Sequence, residues 1–305
     1  MRAKILVTGG DGMLGHALRK VCPEATFVSR QEADLRDLSQ VERIFEKYKP
    51  EAVLHCAAIV GGVQANAERN ADFFTDNIQI NTNVLSVAAR HRVMRLLSLL
   101  SSCAFQTYAE RASTEDDLHQ GVPFEGDRGY AYSKRMLDIQ TQLIWKQDGL
   151  RFSTVTPVTM YGPHDDWDLE NSHVLSALIY KCFLAKRDSK PLTVWGSGKA
   201  VRQFVFVEDV ARFLTRVLEK IEGPDTLILA PDQGISIREL AEGIAREMHF
   251  EGPIEYDRSK PEGQLHKVLE SKKFSKKFPE FNFTPFHKGL KETIAWFEGE
   301  LKVQK

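Results

Sequence analysis

The beginning of the chain carries a glycine pattern that strongly restricts what it can fold into. An apolar run at residues 4–7 precedes Gly9, Gly12 and Gly15, and apolar residues then recur with the spacing of one helix face. Glycines at these positions allow a tight turn, let a pyrophosphate approach the backbone, and let a helix pack closely on a strand. The pattern predicts a strand, a turn and a helix whose positive N-terminus binds a dinucleotide.

Short apolar strands and amphipathic helices alternate along most of the chain. Because the strands are apolar along their whole length, we expect a parallel sheet that helices cover on both faces. The predicted strands are residues 4–7, 26–28, 52–58, 96–100, 152–157, 204–207 and 226–230. The predicted helices are residues 14–21, 41–48, 73–91, 133–145, 208–218 and 236–249, with another from about residue 173. The fold class is therefore α/β, a Rossmann-type doubly wound parallel sheet with a smaller α/β substrate-binding domain.

After residue 163 the alternation of strands and helices is interrupted by a loop, and no repeat or low-complexity linker separates the two parts. We expect a dinucleotide-binding Rossmann domain over residues 1–165, to which a segment of about 201–232 returns. The remaining region, residues 166–305, is expected to bind the substrate. The second region is thus predicted to be interleaved with the first.

Charge, cysteine content and hydropathy exclude several classes of protein. The 41 Lys and Arg against 42 Asp and Glu give a net charge of −1, whereas nucleic-acid binding depends on a clustered excess of cations. The four cysteines have no metal-ligand spacing and are too few for a disulfide framework, which indicates a reducing compartment and no metal. No apolar run approaches the ~18 residues of a membrane span. We expect a cytoplasmic protein without nucleic-acid or membrane partners.

The end of the second strand bears on the choice of nicotinamide cofactor. An acidic residue there binds the adenosine ribose of NAD, whereas an arginine accommodates the 2′-phosphate of NADP. Arg30 follows the strand closely, and Glu32 lies two residues further on. The sequence therefore favours NADP and leaves NAD open.

A tyrosine and a lysine four residues apart, Tyr130 and Lys134, lie on one face at the start of a predicted helix. A lysine ammonium at that distance is expected to lower the tyrosine pKa from its usual value near 10, which makes the hydroxyl usable in proton transfer. Ser101 follows the fourth strand. Together with the glycine pattern, these residues resemble the catalytic set of the extended short-chain dehydrogenase/reductase family.

Further blocks narrow the resemblance to the GDP-4-keto-sugar epimerase/reductases of that family. They are LSSC at 100–103, GPHD at 162–165, NSHV at 171–174, VWGSG at 194–198, RQF at 202–204, SKP at 259–261 and GQ at 263–264. The resemblance extends over nearly the whole chain. It implies an enzyme that epimerises C3 and C5 of GDP-4-keto-6-deoxy-D-mannose and then reduces C4 with NADPH, giving GDP-L-fucose.

The chemistry of such a reaction explains the residue types. A ketone at C4 acidifies the protons on C3 and C5, so a base on one face and an acid on the other can invert each centre. The resemblance implies that Cys103 is the base and His173 the acid, and that Ser101 and Tyr130 bind the O4 anion. Tyr130 would then protonate O4 when hydride arrives, and Lys134 completes the catalytic set.

The resemblance also implies the binding residues and a homodimer. Those expected at the cofactor are Gly9, Gly12, Met13, Leu14, Gly15, Arg30, Asp34, Leu35, Ala57, Ala58, Tyr130, Lys134, Pro157 and His173. Those expected at the GDP-sugar are Ser102, Lys181, Trp195, Arg202 and Lys260. An indole face and nearby cations suit a nucleotide diphosphate. The subunits would pair through the helices near residues 73–91 and 132–145.

Three positions depart from the family's pattern. Gln106 stands in place of a proline, Thr159 in place of an asparagine expected near the sugar, and Lys181 in place of an arginine. No catalytic group is lost, but the identity of the sugar stays open. A GDP-4-keto heptose or 3,6-dideoxyhexose is the alternative substrate.

Two other functions are weighed against the epimerase/reductase. A homologue that binds nucleotide without turnover is opposed by the intact Ser101, Tyr130 and Lys134. A 4,6-dehydratase is disfavoured because it needs an acidic pair near positions 102 and 103, where this chain has Ser and Cys.

Overall fold

The computed structural model describes residues 4–107, 111–169 and 172–303. Its helices are α1 (Met13–Val21), α2 (Leu38–Tyr48), α3 (Val63–Glu68), α4 (Asn70–Arg90), α5 (Arg128–Asp148), α6 (Val174–Asp188), α7 (Val207–Lys220), α8 (Ile237–Glu247), α9 (Lys272–Lys277) and α10 (Phe286–Val303). Its strands are β1 (Ile5–Thr8), β2 (Thr26–Val28), β3 (Ala52–His55), β4 (Arg95–Leu99), β5 (Arg151–Pro157), β6 (Thr159–Tyr161), β7 (Leu192–Trp195), β8 (Val201–Arg202), β9 (Phe204–Phe206), β10 (Thr226–Leu229), β11 (Ile235–Ser236), β12 (Ile254–Asp257) and β13 (His266–Lys267). Short 3₁₀ helices span Ser102–Ala104, Glu115–Asp117 and Glu125–Asp127. Within these residues no helix has the length and apolar content needed to cross a membrane.

Six parallel strands form the central sheet, in the order β2-β1-β3-β4-β5-β10. The direction in which strands are added reverses between β1 and β3, whose last residues, Thr8 and His55, lie opposite each other. In open sheets of this kind, ligands bind in the crevice outside the carboxyl ends of the strands at such a reversal. The Rossmann-type α/β fold predicted from the sequence is confirmed.

The predicted strands and helices are present, and their ends move by a few residues. The third strand ends at His55 instead of residue 58, because the chain leaves the sheet there and lines a cavity. Helix α5 begins at Arg128, ahead of the predicted residue 133, so Tyr130 lies in its first turn. The sequence pattern did not predict α10, β7 or β12.

Two apolar clusters form the core of the described residues. The first lies between the sheet and the helices on its faces, and the second is built by α6, α8 and α10 with β7. Strand β9 joins them, because Val205 packs into the first cluster while Phe204 and Phe206 pack into the second. Helix α9 returns to the first cluster with Phe274. Strand β9 and helix α9 therefore connect the second region of the chain to the core around the central sheet.

A buried carboxylate ties α5 to the sheet. Asp138 is 1% exposed, and one of its oxygens accepts hydrogen bonds from the hydroxyls of Thr154 at 2.8 Å and Thr226 at 2.7 Å. Its other oxygen lies 2.9 Å from His119 Nε2 and accepts from Gln142 at 2.6 Å. Burial alone would raise the pKa of Asp138, but its hydrogen bonds outweigh that effect and lower the pKa. The carboxylate thus fixes α5 against β5 and β10.

Asp138→Ala is expected to reduce the free energy of unfolding by about 3 kcal/mol, since it leaves buried hydroxyls without an acceptor. Because folding lowers the pKa of Asp138 below its ordinary value of 3.8, this contribution is present above that pH and is lost as the pH falls below it. Urea unfolding at neutral and acid pH measures both effects. Asp148→Ala, at the partly exposed end of the same helix, is the control. Equal losses in the two variants at neutral pH would contradict the assignment.

Candidate active site

A cavity of about 790 Å³ lies at the carboxyl ends of the parallel strands. The lining residues come from both regions of the chain and include Gly9, in the turn after β1, and Arg202, on β8. Every binding or catalytic residue predicted from the sequence lines this cavity, except Lys134 and Lys260. The fold therefore brings nearly all of the predicted site residues to one place.

The turn after β1 leaves the N-terminus of α1 open to the cavity. Gly9 has a left-handed φ of +75°, and a Cβ on Gly15 would lie 2.4 Å from the carbonyl oxygen of Gly10, so α1 packs directly on the turn. Gly12 is the N-cap, no described side chain caps this helix, and its first turn has no acidic residue. The free N–H groups and the helix dipole therefore favour an anion at this position, as a pyrophosphate requires.

At the end of β2, the predicted cation faces the cavity and the competing acid does not. Arg30 lines the cavity, and no described carboxylate lies within ion-pair distance of its guanidinium. Glu32 is not among the lining residues. It accepts hydrogen bonds from Tyr48 Oη and, at 2.9 Å, from Lys47 Nζ, and these lower its pKa. The arginine, and not the acid, is thus positioned to meet a ligand at this end of the cavity.

The loop after β4 and the first turn of α5 bring the predicted catalytic groups together. Ser101 Oγ accepts a hydrogen bond from Cys103 N at 3.2 Å, which orients the short 3₁₀ helix that carries the thiol. Ser101 and Tyr130 both line the cavity, and the Ser101 hydroxyl acts on the tyrosine by lowering its pKa. Lys134 lies one turn further along α5, where its buried Nζ donates to Leu99 O at 2.9 Å. This ammonium is 5.5 Å from the centroid of the Tyr130 ring.

The prediction that Lys134 lowers the pKa of Tyr130 is wrong. Burial raises the pKa of Tyr130 above its ordinary value, Cys103 and Asp127 raise it further, and the Ser101 hydroxyl opposes them. The Lys134 ammonium is itself buried, which lowers its pKa to about 8. Tyr130 is therefore a neutral hydroxyl, which is the form that can donate a proton.

Two charged residues beside Cys103 were missed by the sequence-based prediction. Lys267 Nζ donates to Cys103 Sγ at 3.2 Å and lies 3.5 Å from Asp127 Oδ2. Both Lys267 and Asp127 line the cavity. Burial and the Asp127 carboxylate raise the pKa of the thiol, whereas the Lys267 ammonium lowers it. The thiol thus lies between an anion and a cation that act on it in opposite directions.

Different reasons hide these two residues in the sequence. Lys267 is 164 residues from Cys103 and lies in none of the quoted blocks. It reaches the site because β13 pairs with β8, which places Lys267 opposite Arg202. Asp127 gives a weak signal: it lies three residues before Tyr130, at the N-cap of α5, a position that aspartate commonly occupies for a purely structural reason.

The predicted acid, His173, is the N-cap residue of α6 and is exposed to the cavity. Desolvation and the positive charge of Lys267 lower its pKa, and Asp166 opposes them. A lowered pKa makes the imidazolium a stronger proton donor once it is formed. Asn171, from the same sequence block, lies outside the described residues.

Two lysines lie over a tryptophan ring in the cavity wall. Lys181 Nζ is 4.3 Å from the centroid of the Trp195 ring, and Lys260 Nζ is 5.7 Å from it. Arg202 also lines the cavity, and its Nη1 donates to Val201 O at 2.8 Å. A flat ring with several cations around it suits a ligand that has both an aromatic base and phosphate groups.

Of the three departures from the family's pattern, two lie in the cavity wall. Thr159 and Lys181 line it. Gln106 packs against Gly121, which has a left-handed φ of +54°, and is not among the lining residues. A difference in the sugar would therefore be accommodated by Thr159 or Lys181 and not by Gln106.

The chain is similar to known proteins over nearly its whole length. Residues 5–230 match the NAD dependent epimerase/dehydratase family. The chain belongs to this family, which is the extended short-chain dehydrogenase/reductase family that the sequence resembles. This confirms the resemblance at the level of the family.

Three individual proteins illustrate this similarity. A GDP-L-fucose synthase of Dictyostelium discoideum is 35% identical over 302 residues, which cover 96% of this chain and 94% of the relative. The crystal structure of a GDP-L-fucose synthetase from Naegleria fowleri bound to NADP has a TM-score of 0.90 at 34% identity, covering 98% of this chain and 94% of that one. A GDP-L-colitose synthase of Yersinia pseudotuberculosis is 30% identical over 304 residues, covering 97% and 98% of the two chains.

Proposed function

We propose that the chain is an NADPH-dependent epimerase/reductase that converts GDP-4-keto-6-deoxy-D-mannose to GDP-L-fucose. The proposal depends on one observation above all: a single cavity wall within the described residues carries the glycine turn, the Ser101–Tyr130 pair, Cys103 and Trp195. Similarity to the GDP-L-fucose synthases supports this choice of substrate.

NADPH fits the residues at the sheet end of the cavity. The open N-terminus of α1 would hold the pyrophosphate at Gly12, and Arg30 would hold the 2′-phosphate. Asp34 and Leu35 line the cavity just after Arg30, where the adenosine would lie. When bound, the cofactor supplies hydride to C4 of the sugar.

Epimerisation needs a base, an acid and donors to the enolate oxygen. The hydroxyls of Ser101 and Tyr130 would donate to O4 and stabilise the negative charge that develops there. Cys103, after losing its proton, would remove the proton from C3 or C5, and His173 would return a proton on the opposite face. The Lys267 ammonium, 3.2 Å from Sγ, would stabilise the thiolate.

Reduction reuses the same donors. After C3 and C5 have been inverted, Tyr130 would protonate O4 as hydride reaches C4, and its neutral hydroxyl has that proton available. Lys134 would position the tyrosine, because its ammonium is fixed to Leu99 O and faces the ring of Tyr130. One pair of hydroxyls thus serves both half-reactions.

The second region would bind the GDP portion of the substrate. Trp195 offers its ring to the base, and Lys181, Arg202 and Lys260 offer positive charge to the diphosphate. Ser102 lines the same cavity beside the catalytic groups and would contact the sugar.

A related GDP-4-keto sugar is the second candidate substrate. Thr159 lines the cavity at the position where the family's asparagine is expected near the sugar. The similarity to a GDP-L-colitose synthase supports this alternative. An enzyme that acts on a heptose or a dideoxyhexose would keep Ser101, Tyr130 and Lys134, so the product sugar distinguishes the two candidates.

We also propose that the cofactor is bound mainly by residues 1–165 with the returning segment 201–232, and the GDP-sugar by residues 166–305. The two apolar clusters support this division, since the first contains the sheet and the second contains α6, α8 and α10. Trp195→Ala should therefore weaken GDP binding and leave NADPH binding nearly unchanged, as measured by calorimetry with the full chain. Retained GDP affinity would contradict the division.

A homodimer through α4 and α5 is the proposed assembly. These helices pack on each other and still present apolar side chains outward, with Phe74 40% exposed, Ile139 38% exposed and Leu143 59% exposed. Light scattering of the intact chain should give twice the mass of one chain, and Leu143→Glu should give the mass of one. A wild-type protein that stays monomeric at micromolar concentration would contradict the proposal.

Arg30→Ala is expected to lower kcat/KM for NADPH by about tenfold or more while leaving that for NADH nearly unchanged, because a charge-assisted contact to the 2′-phosphate is lost. Steady-state assays with both cofactors measure the change. Glu32→Gln is the control, since that carboxylate is occupied by Tyr48 and Lys47. Undiminished preference for NADPH in Arg30→Ala would remove the arginine from this role.

Substitutions of the two central catalytic residues should separate the half-reactions. Cys103→Ser should stop the exchange of solvent deuterium into C3 and C5 of the keto-sugar, because no thiolate can form. Tyr130→Phe should slow NADPH oxidation by about 10²-fold or more, since the general acid is removed. Mass spectrometry and absorbance at 340 nm follow the two processes. If Cys103→Ser formed the epimerised product at full rate, or Tyr130→Phe oxidised NADPH normally, the assigned roles would be wrong.

A further inference from the structure

We propose that Asp127 is the proton acceptor for Cys103, and that it returns the thiol to the thiolate form between the two epimerisations of one substrate molecule. This inference rests on the proposed function, because it gives Asp127 a task only if Cys103 acts twice as a base. It adds a residue to the catalytic machinery that the sequence pattern did not indicate.

The geometry links the two side chains. Lys267 Nζ contacts both of them, at 3.2 Å from Cys103 Sγ and 3.5 Å from Asp127 Oδ2. All three residues line the cavity. The second oxygen of the carboxylate, Oδ1, is buried and has no hydrogen-bond partner among the described residues. Asp127 therefore has a free acceptor atom and shares the Lys267 ammonium with the group that must lose a proton.

The position of Asp127 in the chain would ordinarily give it another task. It is the N-cap residue of α5, where aspartate usually accepts from the backbone N–H groups of the first turn, but its side chain makes no capping hydrogen bond. Asn70 takes over that task, since its Oδ1 accepts from Gly129 N at 2.5 Å. Asn70 Nδ2 also donates to Glu125 O at 3.1 Å and to Gly126 O at 3.2 Å. The Asp127 carboxylate is thereby left available to the cavity.

The charges around the thiol fit a proton transfer in this direction. Lys267 and Arg202 are cations that act on this cluster, and Asp127 is the anion that acts on the thiol. Moving a proton from Sγ to the carboxylate transfers the negative charge to sulfur and keeps it beside the Lys267 ammonium. This transfer does not change the net charge of the cluster, and the later loss of the proton from Asp127 is balanced by the proton that His173 gains.

The proton balance of the cycle follows. In each epimerisation the bond from C3 or C5 to hydrogen breaks, an Sγ–H bond forms, and His173 gives its own proton to the carbon. Cys103 is then a thiol and cannot act again. Transfer of the thiol proton to Asp127 breaks the Sγ–H bond, leaves the electron pair on sulfur, and forms an O–H bond. Asp127 then loses that proton to water, and His173 gains one from water.

A single-turnover experiment in D₂O tests the proposal. With the full-length enzyme in excess over GDP-4-keto-6-deoxy-D-mannose and without NADPH, quenched samples are analysed by mass spectrometry for the number of deuterons in the sugar. Wild type should pass through one deuteron to two. Asp127→Asn should incorporate the first at nearly the wild-type rate and the second at least about tenfold more slowly, so that singly labelled sugar accumulates.

Three further variants keep the test decisive. Asp127→Glu keeps a carboxylate and should restore the second deuteron, whereas Asp127→Ser can cap α5 but cannot accept the proton, and should stall like Asp127→Asn. Glu125→Gln, in the same short 3₁₀ helix but 79% exposed at its side chain, should behave as wild type. The Asp127→Ser variant covers the case in which Asp127→Asn does not fold.

The remaining outcomes overturn the proposal in distinguishable ways. Two deuterons at the wild-type rate in Asp127→Ser would show that Asp127 accepts no proton. Equal slowing of both incorporations would show a merely structural role. If wild type itself incorporated no deuterium, the proposed function would fail, and this inference would fail with it.

Discussion

Helix α1 approaches the turn after β1 so closely that Gly15 has room only for a hydrogen atom facing the carbonyl oxygen of Gly10. This contact holds the N-terminus of the helix at the point where the order of the sheet reverses, between β1 and β3. The ends of β3, β4 and β5 open at the same edge, because parallel strands share one direction. The loops that carry Arg30, Ser101 and Cys103 are therefore held around one cavity by a rigid sheet.

Desolvation then determines the protonation states in that cavity. Desolvation raises the pKa of the Cys103 thiol and lowers that of the His173 imidazole. Lys267 acts on both groups, since its charge favours the thiolate and disfavours the imidazolium. One lysine thus couples the proposed base to the proposed acid.

Local patterns predicted most of the fold, and contacts between distant residues account for what was missed. The glycine spacing and the Tyr130–Lys134 pair lie within one or two turns of helix, so the sequence shows them directly. The contact of Lys267 with Cys103 depends on the pairing of β13 with β8, which no local pattern encodes. The pKa of Tyr130 depends on burial, and spacing alone therefore gave the wrong direction. Helix α10 was overlooked although Leu290 and Ile294 recur at helical spacing.

In the proposed function, one cavity both inverts and reduces a GDP-4-keto sugar. It is tested most directly by incubating the wild-type chain with GDP-4-keto-6-deoxy-D-mannose and NADPH in D₂O and identifying the product sugar by NMR. The expected product is GDP-L-fucose with deuterium at C3 and C5 and with protium, delivered as hydride, at C4. A sugar reduced at C4 that keeps protium and the original configuration at C3 and C5 would contradict it.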